Sequence, residues 1–386
     1  MTRVIPFARP SFGEPEVDAA RRAILSGWVS QGPEVAAFER EFAAAVGADF
    51  ACAVSSATAA LHLALLAVGV GPGDEVITVS HSFIATANAV RYCGALPVFV
   101  DVEPDTYNID PRQLDAAAGP RTRAVLCVHQ LGMPCDLAAL GEFARRRSVP
   151  LVEDAACAIG SEIRVGGAWE RIGRPHGDVA CFSFHPRKVL TTGDGGMLTT
   201  GSRALDAQFR RLRQHGMSVP DTVRHAAPQV IFESYDTFGF NYRMTDIQAA
   251  VGREQLKRLP AIIARRRALA ARYREGLHGC GAIQLPVERD FARSNWQTYC
   301  VALDARLDQR VVMQRLLDRG IPTRRGVMCA HREPSYPDGT WRAAGTLATS
   351  EAIQDHGVAL PLYADMTDAD QDAVMAALRE ICQVAD

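Results

Sequence analysis

Lysine is almost missing from this chain. Among 386 residues and 42 basic side chains only Lys188 and Lys257 are lysine; the rest are arginine. A chain that uses arginine wherever a surface cation will serve keeps lysine where arginine cannot replace it. An amine can lose its proton and condense with a carbonyl, whereas a guanidinium stays charged. Lys257 lies in the basic stretch Leu256-Lys257-Arg258-Leu259, read as the entry to a helix, and needs no chemical explanation. Lys188 lies among glycines and hydroxyls, where solubility does not account for it.

Other absences narrow the field. With 44 acidic against 42 basic residues and a net charge of −2, no single-sign field marks nucleic acid or an anionic membrane as a partner. No apolar run reaches roughly 18 residues, which predicts no membrane-spanning helix. Met1–Phe7 has no long apolar stretch, which predicts no signal peptide. The 10 cysteines include no C-x-x-C pair, and scattered thiols in a large soluble chain predict a reducing, cytoplasmic setting. Cys127, His129 and Cys135 match no common zinc spacing and read as core residues at a strand end, so no metal is expected.

What is present is a large apolar fraction, 48%, in a repeating pattern. Residues 12–50 read as two helical pieces broken at Gly27–Pro33, where Gly32-Pro33 is a strong breaker. Val54–Thr58 opens a helix in which Leu61, Leu65 and Val68 recur at helical spacing and Gly69 is the stop. Short apolar runs follow at 75–79, 97–102, 123–128, 149–152, 179–184 and 196–199, several of them separated by helical segments. This alternation predicts an α/β fold: a three-layer large domain with a mainly parallel sheet and helices on both faces. From about residue 245 the texture changes. A long helix runs through Ile263, Leu269, Tyr273 and Leu277, followed by a strand at 298–303 and helices at 309–320 and 367–382. We place a large domain at 1–254, with an N-terminal helical segment, and a smaller α+β domain at 255–386.

Three polar clusters fall at strand ends or helix starts, where open α/β sheets hold ligands. Ser55-Ser56-Ala57-Thr58 is a hydroxyl-rich helix start that can cradle a phosphate, or serve as an ordinary cap. Glu153-Asp154 follows a buried strand and aims a carboxylate at the ligand edge; alone, it fits a helix cap or a magnesium or ribose ligand equally. Ser183, His185 and Lys188 follow another strand and lead into Thr191-Thr192-Gly193-Asp194-Gly195-Gly196, whose glycines admit close backbone approach. That loop does not match G-x-x-x-x-G-K-[ST], and Gly69–Gly73 follows a helix rather than a strand, so neither carries a nucleotide fingerprint. Together the clusters form a set. Pyridoxal 5′-phosphate (PLP) needs a lysine for its imine, an acid for its pyridinium nitrogen and a phosphate cradle, and all three are present.

At this point the chain resembles the DegT/DnrJ/EryC1/StrS sugar aminotransferases, PLP enzymes of fold type I related to aspartate aminotransferase. The resemblance rests on Gly27–Pro33, Ser55–Thr58, Ser82-Phe83-Ile84-Ala85-Thr86-Ala87-Asn88-Ala89 and Pro97–Val102. It continues through Glu153–Ala156, Ser183–Gly196, Gly239-Phe240-Asn241-Tyr242-Arg243-Met244-Thr245-Asp246 and Leu360–Tyr363, nearly the whole chain. It implies that Lys188 links to the cofactor and shuttles the proton, and that Asp154 pairs with the ring nitrogen. By the same resemblance Phe83 stacks on the ring, and Ser55, Ala57, Thr58 and Ser183 bind the phosphate. Asn241 would reach the phosphate site of a second subunit, which implies a homodimer with shared sites. Gln31, His185 and His331 fall near the substrate. Cys157 stands where many members carry Gln or His against the cofactor hydroxyl, and a thiol is a poor hydrogen-bond partner. Asp194 stands where many carry Glu.

The implied reaction moves an amino group from an amino acid, glutamate by analogy, to the keto group of a nucleotide-linked sugar. Three alternatives stand beside it: a cyclitol or other cyclic ketone as acceptor, a PLP-dependent sugar dehydratase, and a non-catalytic regulatory relative. Dehydratases of this kind carry histidine in place of the lysine, so Lys188 argues against the second. The retained cofactor set, and the lack of a basic helix-turn-helix segment, argue against the third.

Overall fold

The computed structural model describes residues 4–219, 223–224 and 227–383. Its strands are β1 (Phe50–Val54), β2 (Glu75–Val79), β3 (Leu96–Val100), β4 (Thr122–Val128), β5 (Leu151–Asp154), β6 (Glu162–Val165), β7 (Ala168–Arg171), β8 (Val179–Ser183), β9 (Gly196–Thr200), β10 (Ile283–Gln284), β11 (Ala292–Arg293), β12 (Tyr299–Leu303), β13 (Arg324–Arg325), β14 (Arg342–Ala343) and β15 (Gly357–Leu360). Its helices among the described residues are α1 (Glu14–Leu25), α2 (Pro33–Val46), α3 (Ala57–Ala67), α4 (Ala85–Tyr92), α5 (Leu114–Ala117), α6 (Leu137–Arg147), α7 (Arg203–Leu212), α8 (Asp246–Leu277), α9 (Gln309–Asp318), α10 (Ala348–His356) and α11 (Asp368–Gln383).

The large sheet has the order β1-β9-β8-β5-β4-β2-β3-β14. Every neighbour pair from β8 to β14 is parallel; β9 runs against both β1 and β8. Successive side chains on a strand point to opposite faces, and here both faces are apolar. Ile77, Val125 and Leu151 enter a core shared with Phe38 and Phe42 of α2 and Leu140 and Phe143 of α6. Their neighbours Val76, Leu126 and Val152 enter a second core with Leu61 and Leu65 of α3 and Phe209 and Leu212 of α7. The result is the expected three-layer α/β architecture with a mainly parallel sheet.

A second, four-stranded sheet of order β10-β12-β15-β13 is antiparallel throughout. It buries Tyr299, Val301, Val358 and Leu360 against Leu269, Tyr273 and Leu277 of α8, Leu316 of α9 and Leu378 of α11. Two details depart from the sequence expectation. Lys257 lies well inside α8 rather than at a helix entry, because the helix already begins at Asp246 and carries Pro260 in its interior. The position expected to divide the chain, 254/255, therefore falls within a continuous helix. The later part of the chain also returns to the large sheet, where β14 pairs in parallel with β3.

Two of the stretches that carry the resemblance, Gly27–Pro33 and Gly239–Asp246, meet in space. Asp246 accepts hydrogen bonds from the amides of Gly32 (2.7 Å), Glu34 (3.0 Å) and Val35 (2.9 Å). These are donors that the first turn of α2 leaves unsatisfied, and the glycine before it has no side chain to cap them. Thr245 and Gln248 close a reciprocal capping box at the start of α8.

Candidate active site

Because β5 and β8 are parallel neighbours, their carboxyl ends deliver Asp154 and Ser183 to the same edge of the sheet. Asp154 is buried. Its Oδ2 accepts from Thr86 Oγ1 at 2.7 Å and its Oδ1 from the Ala156 amide at 3.1 Å. Ser82 Oγ lies 2.7 Å from Thr86 Oγ1 and continues the network. Burial pushes the Asp154 carboxyl above its usual range, against the opposing pull of Thr86, the Ala156 amide and the Lys188 charge. A carboxylate held this way is a receptor for a cation: a protonated ring nitrogen facing it offsets the desolvation cost. Behind it, His129 Nδ1 accepts from the Cys135 amide (3.0 Å), so its proton sits on Nε2, facing Glu153 Oε2 at 3.0 Å. His129, Cys127 and Cys135 are wholly buried core residues.

Lys188 follows β8 on a tight turn closed by its own amide on His185 O at 2.8 Å. It is half-buried, and its Nζ donates to Cys157 Sγ at 3.0 Å. Across the edge, α3 starts at Ala57, capped by Ser56 Oγ, which accepts from the Ala59 amide at 3.1 Å. The amides of Ala57 and Thr58 are the first two of that helix, outside its internal ladder and at its positive end, suited to a phosphate. Ser183 Oγ accepts a long contact of 3.4 Å from the His185 amide, leaving its O–H to donate.

The glycine turn is explained by close approach. A Cβ at Gly196 would lie 2.5 Å from Ser56 C and O and 2.7 Å from Ala57 N. Gly196→Ala therefore pushes the cradle off its helix start. Forced overpacking of this kind costs about 1–3 kcal/mol. We expect PLP affinity to fall about tenfold or more, read by titrating the cofactor into the cofactor-free protein. An unchanged affinity would show that the cradle does not need this contact.

The remaining expected residues fall at several places. Ser55 is half-buried in the cradle, its amide donating to Tyr242 O at 2.8 Å. Phe83 is 62% exposed and presents an open ring. Asn241 is exposed, and among the described residues its side chain makes no hydrogen bond. Gln31 Oε1 is buried without a hydrogen-bond partner. His185 is exposed, its Nδ1 accepting from the Arg187 amide at 3.2 Å. Both ring nitrogens of His331 are engaged, Nδ1 with Ser80 Oγ (2.7 Å) and Nε2 with Glu351 Oε1 (3.0 Å). No role was expected of Thr86 or Ser82, although both stand in Ser82–Ala89, one of the stretches that carry the resemblance; Thr86 lies in the first turn of α4 and Ser82 just before that helix.

An acid buried for a cationic ring, an amine on the neighbouring strand end and a helix-start phosphate cradle, all on one edge of a mainly parallel three-layer sheet, fit PLP and define a PLP-dependent enzyme. The chain belongs to the DegT/DnrJ/EryC1/StrS aminotransferase family, whose model matches residues 10–379, and it is a PLP-dependent aminotransferase. It is 38% identical to the spore coat polysaccharide biosynthesis protein SpsC of Bacillus subtilis (strain 168), over 99% of this chain and 98% of that one. The crystal structure of S. venezuelae DesV in complex with a ketimine intermediate is 36% identical and superimposes with a TM-score of 0.89 over 99% of both chains. The PLP form of a putative sugar aminotransferase, Spr1654 from Streptococcus pneumoniae, is 25% identical with a TM-score of 0.90 over 100% of both chains.

Proposed function

We propose that this chain transfers an amino group from glutamate to a keto carbon of a nucleotide-linked sugar, as a homodimer whose two sites are shared. The observation that carries the reading is the convergence of Lys188, Asp154 and the Ala57–Thr58 amides on one sheet edge. PLP, when bound, supplies an electrophilic carbonyl and a ring that draws electrons from the carbon bearing the amino group. Asp154 holds the ring nitrogen protonated through charge. Thr86 and the Ala156 amide fix the orientation of that carboxylate. Ala57, Thr58 and Ser183 anchor the phosphate, and Phe83 covers a ring face. Lys188 Nζ would take the proton from the donor carbon in the first half of the reaction and deliver one to the acceptor carbon in the second. Cys157 Sγ, within hydrogen-bond reach of that amine, holds it while it waits.

The sugar assignment is supported by the similarity to SpsC, a spore coat polysaccharide biosynthesis protein, and by the exposed approach over Phe83. The decisive assay is a panel of 3-keto and 4-keto nucleotide sugars, with keto cyclitols alongside, offered to enzyme first reacted with glutamate. Amination of a nucleotide sugar is expected; amination of cyclitols alone would reassign the acceptor.

The shared site is supported by an apolar surface beside Asn241. Phe232 is 92% exposed and Phe238 86%, more than a chain working alone leaves open in one segment. Mixing Lys188→Ala with Asn241→Ala chains in equal amounts should restore about a quarter of wild-type turnover overall, because about half of the dimers are then heterodimers and each regains both groups in one of its two sites. This arithmetic requires that the interface, like other closed twofold contacts, be self-complementary. Activity of the mixture equal to the mean of the two parents would place Asn241 in its own chain's site.

A further inference from the structure

A cavity of about 310 Å³ is lined by Arg267, Ala271, Arg274, Glu288, Arg293 and Trp296. Neither Lys188, Asp154, Ser183 nor Thr58 borders it. We propose that it binds a small phosphoryl-bearing dianion.

The argument begins with spacing. Arg267, Ala271 and Arg274 stand four and three residues apart on α8, so they share one helix face. The small alanine between the two arginines leaves the hollow. The opposite wall is Arg293 of β11, with the largely buried Trp296 beside it. Two of the guanidinium groups are fixed before any ligand arrives. Arg267 Nε donates to Ser294 O at 2.9 Å and its Nη2 to Glu162 Oε2 at 3.2 Å. The Arg293 guanidinium sits over the Trp169 ring, 3.8 Å from its centroid. Arg164 approaches the same ring at 6.0 Å. The third, Arg274, is exposed and has no ion pair or hydrogen bond among the described residues.

The charge balance favours an anion. Three arginines face one lining carboxylate, Glu288, and that carboxylate already accepts the Ser294 amide at 2.6 Å. Outside the lining, Glu162 is divided between Arg267 and Arg293, the latter at 3.9 Å. Arginine forks match tetrahedral oxyanions in paired hydrogen bonds, and immobilised guanidiniums lose less entropy on binding than free ones. The volume stands at the lower end of the range of about 300–1,000 Å³ typical of small-ligand sites. It suits a phosphate or a compact phosphate ester.

The test uses PLP-saturated wild-type enzyme in phosphate-free buffer, because the empty cofactor cradle would itself take phosphate. Inorganic phosphate and, separately, a nucleoside monophosphate are titrated by calorimetry while the cofactor absorbance is followed. One saturable site per chain is expected with the absorbance unchanged. Arg274→Gln and Arg293→Gln should each weaken binding about fivefold or more, as loss of a charge-assisted hydrogen bond predicts. The tighter of the two ligands identifies whether free phosphate or an ester is the natural source. Absence of saturable binding, binding by both variants as tight as by wild type, or binding that displaces the cofactor would overturn the proposal. A failure here leaves the aminotransferase reading untouched, since the absorbance reports that separately.

Discussion

Lys188→Ala is expected to abolish the visible absorbance of the PLP-loaded protein and to slow amino transfer by about 10⁴-fold or more, because the proposed mechanism makes one side chain both covalent anchor and proton carrier. Lys188→Arg should fail as completely: the charge is kept, but a guanidinium neither condenses with a carbonyl nor gives up its proton near neutral pH. Lys257→Arg is the matched control. Its amine pairs with Glu254 at 2.8 Å on the exposed face of α8, a role arginine can take over. Absorbance and steady-state turnover of the three variants decide the matter. Residual activity in Lys188→Ala within about tenfold of wild type would show that the proton is moved by another group.

Asp154→Asn carries the second large effect, and it has two opposite signs. Each pK unit by which the carboxylate favours a protonated ring nitrogen is worth about 1.4 kcal/mol, or tenfold in rate if fully expressed. Loss of two to three such units slows turnover roughly 10²–10³-fold. In the cofactor-free chain the same substitution should stabilise. The folded-state pKa of Asp154 is raised above the ordinary carboxylate value of 3.8 by burial. The native state thus binds the extra proton, and stability falls as pH rises through the interval above 3.8. Asparagine has no charge to desolvate and keeps an acceptor for Thr86 Oγ1. The variant should melt higher than wild type at neutral pH and show no such gain below the carboxylate range. A lower melting temperature at neutral pH in the cofactor-free state would mean that the carboxylate is stabilised by its hydrogen bonds more than burial opposes it.

The strands most legible in the sequence are those whose burial is local in origin. β2, β3, β4, β5 and β8 are fully or almost fully buried and read as apolar runs, so both their existence and their parallel setting followed from composition. The reversal of β9 did not, since direction is set by the turn Thr191–Gly195 rather than by the strand's own residues. β6 and β7 were missed because their hairpin is largely exposed and the alternation in β6, Ile163 and Val165 between Glu162 and Arg164, spans only four residues. β14 was missed because two residues, Arg342 and Ala343, contain no pattern. The true start of α8 was available in the Thr245–Gln248 capping box, eleven residues before Lys257, where the basic stretch reads as a helix entry.

The site divides along the same line. The placement of Asp154, Ser183 and Lys188 at one sheet edge was legible because strand ends present side chains to that edge whatever the rest of the chain does. The partners that orient them were not. Thr86 meets Asp154 across 68 residues of sequence, Asn295 Nδ2 reaches Cys157 O across 138, and His331 meets Ser80 across 251. Such contacts are products of the folded sheet and leave no spacing rule behind.

The central claim is that Lys188 is the cofactor lysine, and the near absence of lysine makes it unusually easy to test. PLP-loaded wild-type protein is reduced with borohydride, digested and mapped by mass spectrometry. The claim predicts a single phosphopyridoxyl adduct, on the peptide containing Lys188. With one other lysine in the chain, an adduct on Lys257 instead, or no adduct at all, would contradict it.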